Sequence, residues 1–435
     1  MDSRLILVTG ATGYIASRLI PRLLDAGYRV RCLAREPLRL KGRSWFRHVE
    51  VVQGDVTLPP TLPDALEGVH TAYYFIHNMS RGHGYTALEL ESARAFAAAA
   101  EQAGVKHIIY LGGLANPEQH IAPHMRSRIE TGHVLRNGRV PVTEFRAGVI
   151  IGSGSISFEM IRFMTELFPI VPGPLWMKNK SQPIAIQNVI DYLFAALANP
   201  NGRGQVFEIG GPDIKRYGDL MTGYARIRGL RRRMLLLPGI PLWFMAFGVD
   251  LMTPVPYPIA YALIDGLSAD SVVQYPQASD VFPEVKPIDF HTATKAALEK
   301  TDPFYIERVW DDGKGNSKSI KHEGCFIEHR EIAITAKRET VFRSIVDFCK
   351  RQGWTVKVDQ KNYQVVACIH KQSAGRKWME WRVVRHAASV TYMSQTLFFS
   401  PRGLPGFLYW YLLYPFHFLS FNGLIKRITK ESETQ

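Results

Sequence analysis

A strand-length apolar run, Leu5 to Val8, leads into Thr9-Gly10-Ala11-Thr12-Gly13-Tyr14-Ile15-Ala16 and then into an amphipathic pattern through Leu19, Ile20 and Leu23. This order restricts the start of the chain to a strand, a tight turn and a helix. Gly10 lets the backbone turn without a Cβ penalty, Gly13 leaves room for a pyrophosphate, and small Ala16 lets the helix pack close to the strand. The unpaired N–H groups and positive dipole end of such a helix attract phosphate, with Thr12, Tyr14 and Ile15 lining the loop.

Strand and helix patterns then alternate. Tyr28 to Ala34 reads as a second strand with Arg35-Glu36 at its tip, where an arginine pairs with the extra phosphate of NADP(H) and an acid binds the ribose hydroxyls of NAD(H). Arg35, helped by Arg39, favours NADP(H), and Glu36 keeps NAD(H) open. Val49 to Gly54 is a third strand, followed by Asp55-Val56 for the adenine edge. Thr71 to Ile76 is a fourth, which carries Phe75 and leads to His77-Asn78-Met79 at the middle of a cofactor. An alanine-rich helix, Ala87 to Ala103, precedes a fifth strand, Lys106 to Leu111. Regular alternation of this kind predicts an α/β fold, a doubly wound parallel sheet of Rossmann type with helices on both faces.

Composition bounds the rest. With 435 residues the chain has room for two or three domains, and 46% hydrophobic residues against 21% charged supply ample core. The net charge of +14 suits phosphates or an anionic surface, but the basic residues are spread, Arg231-Arg232-Arg233 being the densest run. No zinc-finger spacing or single-strand-binding motif is present, so nucleic acid is not expected as a partner. Cys32, Cys325, Cys349 and Cys368 are too scattered for a disulfide framework or a metal site. The chain enters its first strand without a signal pattern, so a cytoplasmic location is the expectation.

The Thr-Gly-Ala-Thr-Gly-Tyr-Ile start, Phe145 to Gly152, Gln182 to Val189 and Phe207 to Pro212 resemble, in that order, blocks of the extended and atypical short-chain dehydrogenase/reductase superfamily, among its NmrA-like and epimerase-like members. The resemblance extends to about residue 290 and implies NAD(P) binding and hydride transfer, with the segment of about 216–270 as an apolar substrate lobe. Reductases of this superfamily use a Tyr-x-x-x-Lys pair and a nearby serine or threonine. Here Gly112-Gly113-Leu114 stands in place of the serine, and His124-x-x-x-Arg128 is the best match to the pair. Residues four apart share a helix face, so His124 and Arg128 are candidate catalytic groups, the imidazole neutral or charged. His77 is a third candidate.

Residues 291–320, preceded by Pro276, Pro283 and Pro287 and containing Pro303 and the polar run Asp311 to Lys318, read as a linker. From 321 to 435, five strand patterns, a helix from Glu339 to Lys350 and a long apolar final stretch predict an α+β domain, a curved antiparallel sheet on a helix. Its end, Phe399 to Gly406 with Tyr409-Trp410-Tyr411, resembles a domain of unknown function, DUF2867, similar in turn to helix-grip, START-like lipid-binding modules. Residues 403–425 contain no charged side chain. Their apolar residues recur at three-to-four spacing, which favours a core helix, with peripheral membrane attachment as the alternative. The whole reads as an atypical NADP(H)-dependent oxidoreductase for an apolar carbonyl, enone or quinone-like substrate. The alternative is a non-catalytic dinucleotide-binding sensor or assembly protein whose C-terminal domain binds lipid.

Overall fold

The computed structural model describes residues 4–40, 43–77, 85–116, 118–119, 121–252, 255, 257–300, 319–322, 325–372, 374–385 and 390–434. The chain divides into two compact units, one formed mainly by Met1–Thr165 and Pro169–Lys300, the other mainly by Gly313–Gln435.

In the first unit, β1 (Leu5–Thr9), β2 (Arg29–Ala34), β3 (Glu50–Gln53), β4 (Val69–Tyr74), β5 (His107–Gly113) and β6 (Val142–Ala147) join the strand Val206–Ile209 in one seven-stranded sheet. The order across it is Val206–Ile209, β6, β5, β4, β1, β2, β3, and every neighbouring pair is parallel. The direction of winding reverses between β1 and β4, which opens a crevice beyond their carboxyl ends. Helices α1 (Tyr14–Asp25), α2 (Leu62–Leu66), α3 (Tyr85–Gln102) and α4 (Pro123–Arg136) make the crossovers.

β1 shows why a continuous apolar run becomes a central strand. Successive side chains point to opposite faces, and both faces are covered. Ile6 and Val8 pack in one cluster with Ala16, Leu19, Ile20 and Leu23 of α1, while Leu5 and Leu7 pack in another with Ala93, Phe96 and Ala97 of α3.

Beyond β6 the unit adds α5 (Ile156–Leu167), α6 (Ile186–Ala195), α7 (Tyr217–Ile227), α8 (Leu242–Met252) and α9 (Tyr257–Gly266). The strand Arg233–Leu237 pairs in parallel with Ile170–Pro174. Short α10 (Ala278–Val281) and α11 (Phe290–Glu299) follow. The linker expected from residue 291 therefore begins as a packed helix. Asp289 caps α11 by accepting the Thr292 N–H at 2.9 Å, and Phe290, Ala293 and Ala297 fill a core cluster with Tyr217, Leu220 and Tyr224. A cap followed by apolar residues at helical spacing outweighs the surrounding prolines. The polar run 311–318 lies outside the described residues.

The second unit is a six-stranded antiparallel sheet in the order Ser319–His322, Cys325–Ile334, Thr391–Pro401, Gly375–Arg385, Gln364–Gln372, Thr355–Asp359, with α12 (Arg338–Arg351) and α13 (Gly403–Glu433). A long terminal helix laid along such a sheet is the helix-grip-like α+β arrangement. Phe326 and Phe399 are cross-strand partners, and both stack on Trp410 of α13, at centroid separations of 5.0 and 5.5 Å. α13 runs past residue 425 to Glu433. Phe407, Trp410, Phe421, Ile425 and Ile428 are buried, whereas Leu404, Leu408, Leu412, Phe416 and Leu419 are exposed. Among the described residues no helix is long and apolar enough to cross a membrane.

Candidate active site

The turn after β1 needs glycine at its first position for two separate reasons. Gly10 has φ +63°, and a Cβ there would lie 2.8 Å from the Phe75 carbonyl oxygen. The Gly13 N–H donates to the Gly10 carbonyl at 2.7 Å, and α1 then starts with no side-chain cap at Gly13 and no acidic residue in its first turn. Its leading N–H groups are thus left for an outside acceptor, and a pyrophosphate fits this bare cradle. The Phe75 N–H donates to Thr9 Oγ1 at 2.9 Å, tying the ends of β1 and β4 together at the crevice. The side chains of Tyr14 and Ile15 turn to packing. The Arg18 guanidinium lies 3.8 Å from the Tyr14 ring centroid while donating to the Ser153 carbonyl at 2.8 Å, and Ile15 packs against the core. Both residues can therefore serve a phosphate only through their backbone.

At the adenosine end, Arg35 and Glu36 are exposed at the tip of β2. A second arginine joins them. Arg43 is 6% exposed and donates to the Thr12 carbonyl at 3.4 Å. It sits in a loop without periodicity, so no sequence signal marked it; the fold carries it back to the glycine turn. Asp55 accepts the Thr57 N–H at 2.9 Å and its own N–H donates to Thr61 Oγ1 at 3.0 Å, which holds the turn after β3. Val56 is buried, which leaves its backbone as the part open to a ligand.

The other end of the sheet edge holds a cavity of about 140 Å³, bordered by Leu114 after β5 and by Ala147, Gly148 and Val149 at the end of β6. His124 and Arg128, one turn apart on α4, both line it. So do Met125, Met160, Met164, Met177, Met221 and Met245, six of the chain's 12 methionines. The space beside the missing serine is occupied. A Cβ on Gly113 would meet Met125 Cε at 2.6 Å, so the end of the Met125 side chain would have to shift to admit one, with Arg128 Cδ in ordinary contact at 3.4 Å.

His124 is 4% exposed, its Nδ1 has no hydrogen-bond partner, and burial together with the neighbouring Arg128 pushes its pKa down to about 3. The charged form is thereby excluded at ordinary pH; a neutral ring N–H is what remains for a ligand oxygen. His77 is not among the residues that line the cavity. It is half-buried beside Tyr110, 6.3 Å between ring centroids, and hydrogen-bonded to the Leu111 backbone; burial and then Arg128 hold its pKa well below the usual range. Tyr110 donates its hydroxyl to the Arg128 carbonyl at 2.9 Å, and buried Glu89 accepts from Ser127. α4 is thus anchored at Ser127 and at Arg128 itself.

A glycine turn at a winding reversal, followed by a parallel sheet and these blocks in order, agrees with the match of residues 2–200 to the NmrA-like family. The amino-terminal part of the chain is similar to the NmrA-like family over these residues. Residues 327–424 match a second family, described as protein of unknown function DUF2867. The NmrA-like part is 29% identical over 272 residues to a (4-alkanoyl-5-oxo-2,5-dihydrofuran-3-yl)methyl phosphate reductase of Streptomyces griseus, over 60% of this chain and 85% of that protein. It is 25% identical over 214 residues to photosystem II assembly factor Ycf39 of Trieres chinensis, over 47% of this chain and 63% of that protein. The crystal structure of Citrobacter sp. triphenylmethane reductase complexed with NADP(H) superposes with a TM-score of 0.55 at 20% identity, over 67% of this chain and 99% of that one. That likeness carries the fold alone.

Proposed function

We propose that the NmrA-like unit is an atypical oxidoreductase that binds NADP(H) in preference to NAD(H) and acts on an apolar carbonyl, enone or quinone-like compound. The observation that carries this reading is the position of the methionine-lined cavity. It opens beyond β5 and β6, on the same edge of a parallel sheet as the glycine turn after β1, which is the edge along which dinucleotides extend in this fold.

When bound, a nicotinamide supplies the hydride equivalent. The chain supplies binding and electrostatics. Thr12, Tyr14 and Ile15 offer backbone N–H groups to the pyrophosphate, and Gly10 and Gly13 shape the turn that lets it approach; Arg35 and Arg43 offer positive charge to a ribose phosphate. Asp55 and Val56 border the adenine, and Phe75 borders the middle of the dinucleotide. In the cavity, Arg128 places a cation where oxygen charge develops, and the neutral His124 donates a hydrogen bond to the same oxygen. His77 takes a positioning part beside Tyr110. The six methionines exclude water and adapt to the ligand. A reductase matched along 85% of its length supports the enzymatic reading.

The absent Tyr-x-x-x-Lys pair and the assembly-factor relative favour a second reading, a protein that binds the dinucleotide without turnover and whose second unit binds a lipid. Mixing purified protein with NADPH and a panel of quinones and enones separates the two. Oxidation of NADPH that His124→Ala slows strongly supports the enzyme, whereas tight NADPH binding by calorimetry with no turnover supports the sensor. Absence of heat with either NADPH or NADH would remove both.

A further inference from the structure

The helical pair α8 and α9 has the reverse of the usual surface pattern. Met245, Val249, Leu263, Ile264 and Gly266 line the cavity from inside. The outer surface is not polar but aromatic: Trp243, Phe244 and Phe247 are 58, 56 and 53% exposed, and Tyr257 and Tyr261 of α9 are 37 and 40% exposed. Single exposed apolar residues are ordinary, but three large aromatics within five positions are not. The strand that precedes α8 in the chain, Arg233–Leu237, also exposes Leu235 and Leu237 and begins at exposed Arg233, two residues after exposed Arg231. Aromatic side chains with an adjoining cationic edge match the interfacial zone of a bilayer, where rings sit at the headgroup level and cations meet lipid phosphates.

We propose that α8 and α9 dock the NmrA-like unit on an anionic phospholipid bilayer. The aromatic side chains enter the interface and Arg231 and Arg233 face the phosphates. The occupant is a lipid surface rather than a second copy of the chain because the cationic edge would confront itself across a symmetric contact. Since the same two helices wall the cavity, docking also brings the cavity to the membrane, and an apolar substrate dissolved in the bilayer reaches it without crossing water; this second consequence rests on the proposed function, the docking does not. The exposed face of α13, with Leu408, Leu412 and Phe416 ahead of Lys426 and Arg427, has similar chemistry and serves as the comparison.

Co-sedimentation of the full chain with phosphatidylcholine vesicles, with and without phosphatidylglycerol, tests the docking independently of turnover. The expected result is binding to the phosphatidylglycerol vesicles that weakens with salt, falls about tenfold or more in Trp243→Ser/Phe244→Ser/Phe247→Ser, and falls in Arg231→Glu/Arg233→Glu. Circular dichroism and the thermal midpoint of the same variants show that they are folded. The proposal is overturned if the wild-type chain stays in the supernatant with both vesicles, or if the triple variant binds as wild type. It is also overturned if only Leu408→Ser/Leu412→Ser/Phe416→Ser abolishes binding, which would place the contact on α13. A dimer in sedimentation equilibrium that the α8 variant dissociates, without vesicle binding, would assign the face to a second copy instead.

Discussion

The imidazole of His124 lies so close over Gly266 that a Cβ on that residue would come within 2.6 Å of its Cε1. A ring, unlike the end of a long side chain, cannot step aside without moving its helix. Gly266→Ala is therefore expected to displace His124 in the cavity and to cost about 1–3 kcal/mol of stability through overpacking. Steady-state kinetics should show a fall in kcat similar to that of His124→Ala, while the NADPH dissociation constant stays unchanged.

Arg35 and Arg43 make separable predictions. Arg35 is exposed at the tip of β2, so Arg35→Ala should weaken NADPH by about tenfold to a hundredfold, the value of a charge-assisted contact, and leave NADH unaffected. Arg43 also holds the Thr12 carbonyl of the glycine turn, so Arg43→Ala should weaken both dinucleotides. Parallel calorimetric titrations check this; equal losses for both ligands in Arg35→Ala would show that it does not read the ribose phosphate.

Buried histidines set the response to acid. His124 is lowered from 6.5 to about 3, chiefly by burial and then by Arg128, and His107 to about 4, chiefly by burial and then by Arg203. A histidine whose folded pKa is depressed is neutral in the fold but takes up a proton when unfolded, so its contribution is complete above pH 6.5 and is lost as the pH falls toward the folded values. The thermal midpoint should fall steadily from pH 6.5 to pH 4, less steeply in His107→Asn. Over the same range the activity profile of still-folded protein should show no ionisation assignable to His124.

Trp410 lies across both Phe326 and Phe399 and is 2% exposed. Trp410→Ala should therefore destabilise the second unit by about 3–5 kcal/mol, read as a lowered midpoint in denaturant. NADPH binding by the NmrA-like unit should persist in the same variant.

Much of this was written locally. The strands from β1 to β5 carry apolar or alternating patterns of their own, and Gly10 and Gly13 announce their turn, because these features depend on residues that are neighbours in the chain. α11 was misread as linker because Pro287 and Pro303 flank a helix whose cap, Asp289, and buried face, Phe290, Ala293 and Ala297, gain their meaning only from the core they meet. The cavity was illegible for the same reason: Met125, Met160, Met177, Met221 and Met245 come from separate segments, and nothing in their spacing says that they converge.

What the sequence by itself determined is the order of strands and helices, the glycine turn and the pair His124 and Arg128 on one helical face, since backbone geometry and side-chain periodicity are local properties. Tertiary structure alone decided that Arg43 returns to Thr12, that Gly113 is covered by Met125, that His124 is neutral and that α8 turns its aromatic residues outward. These are matters of what each surface is packed against, and desolvation, steric exclusion and exposure exist only once distant segments have been brought together.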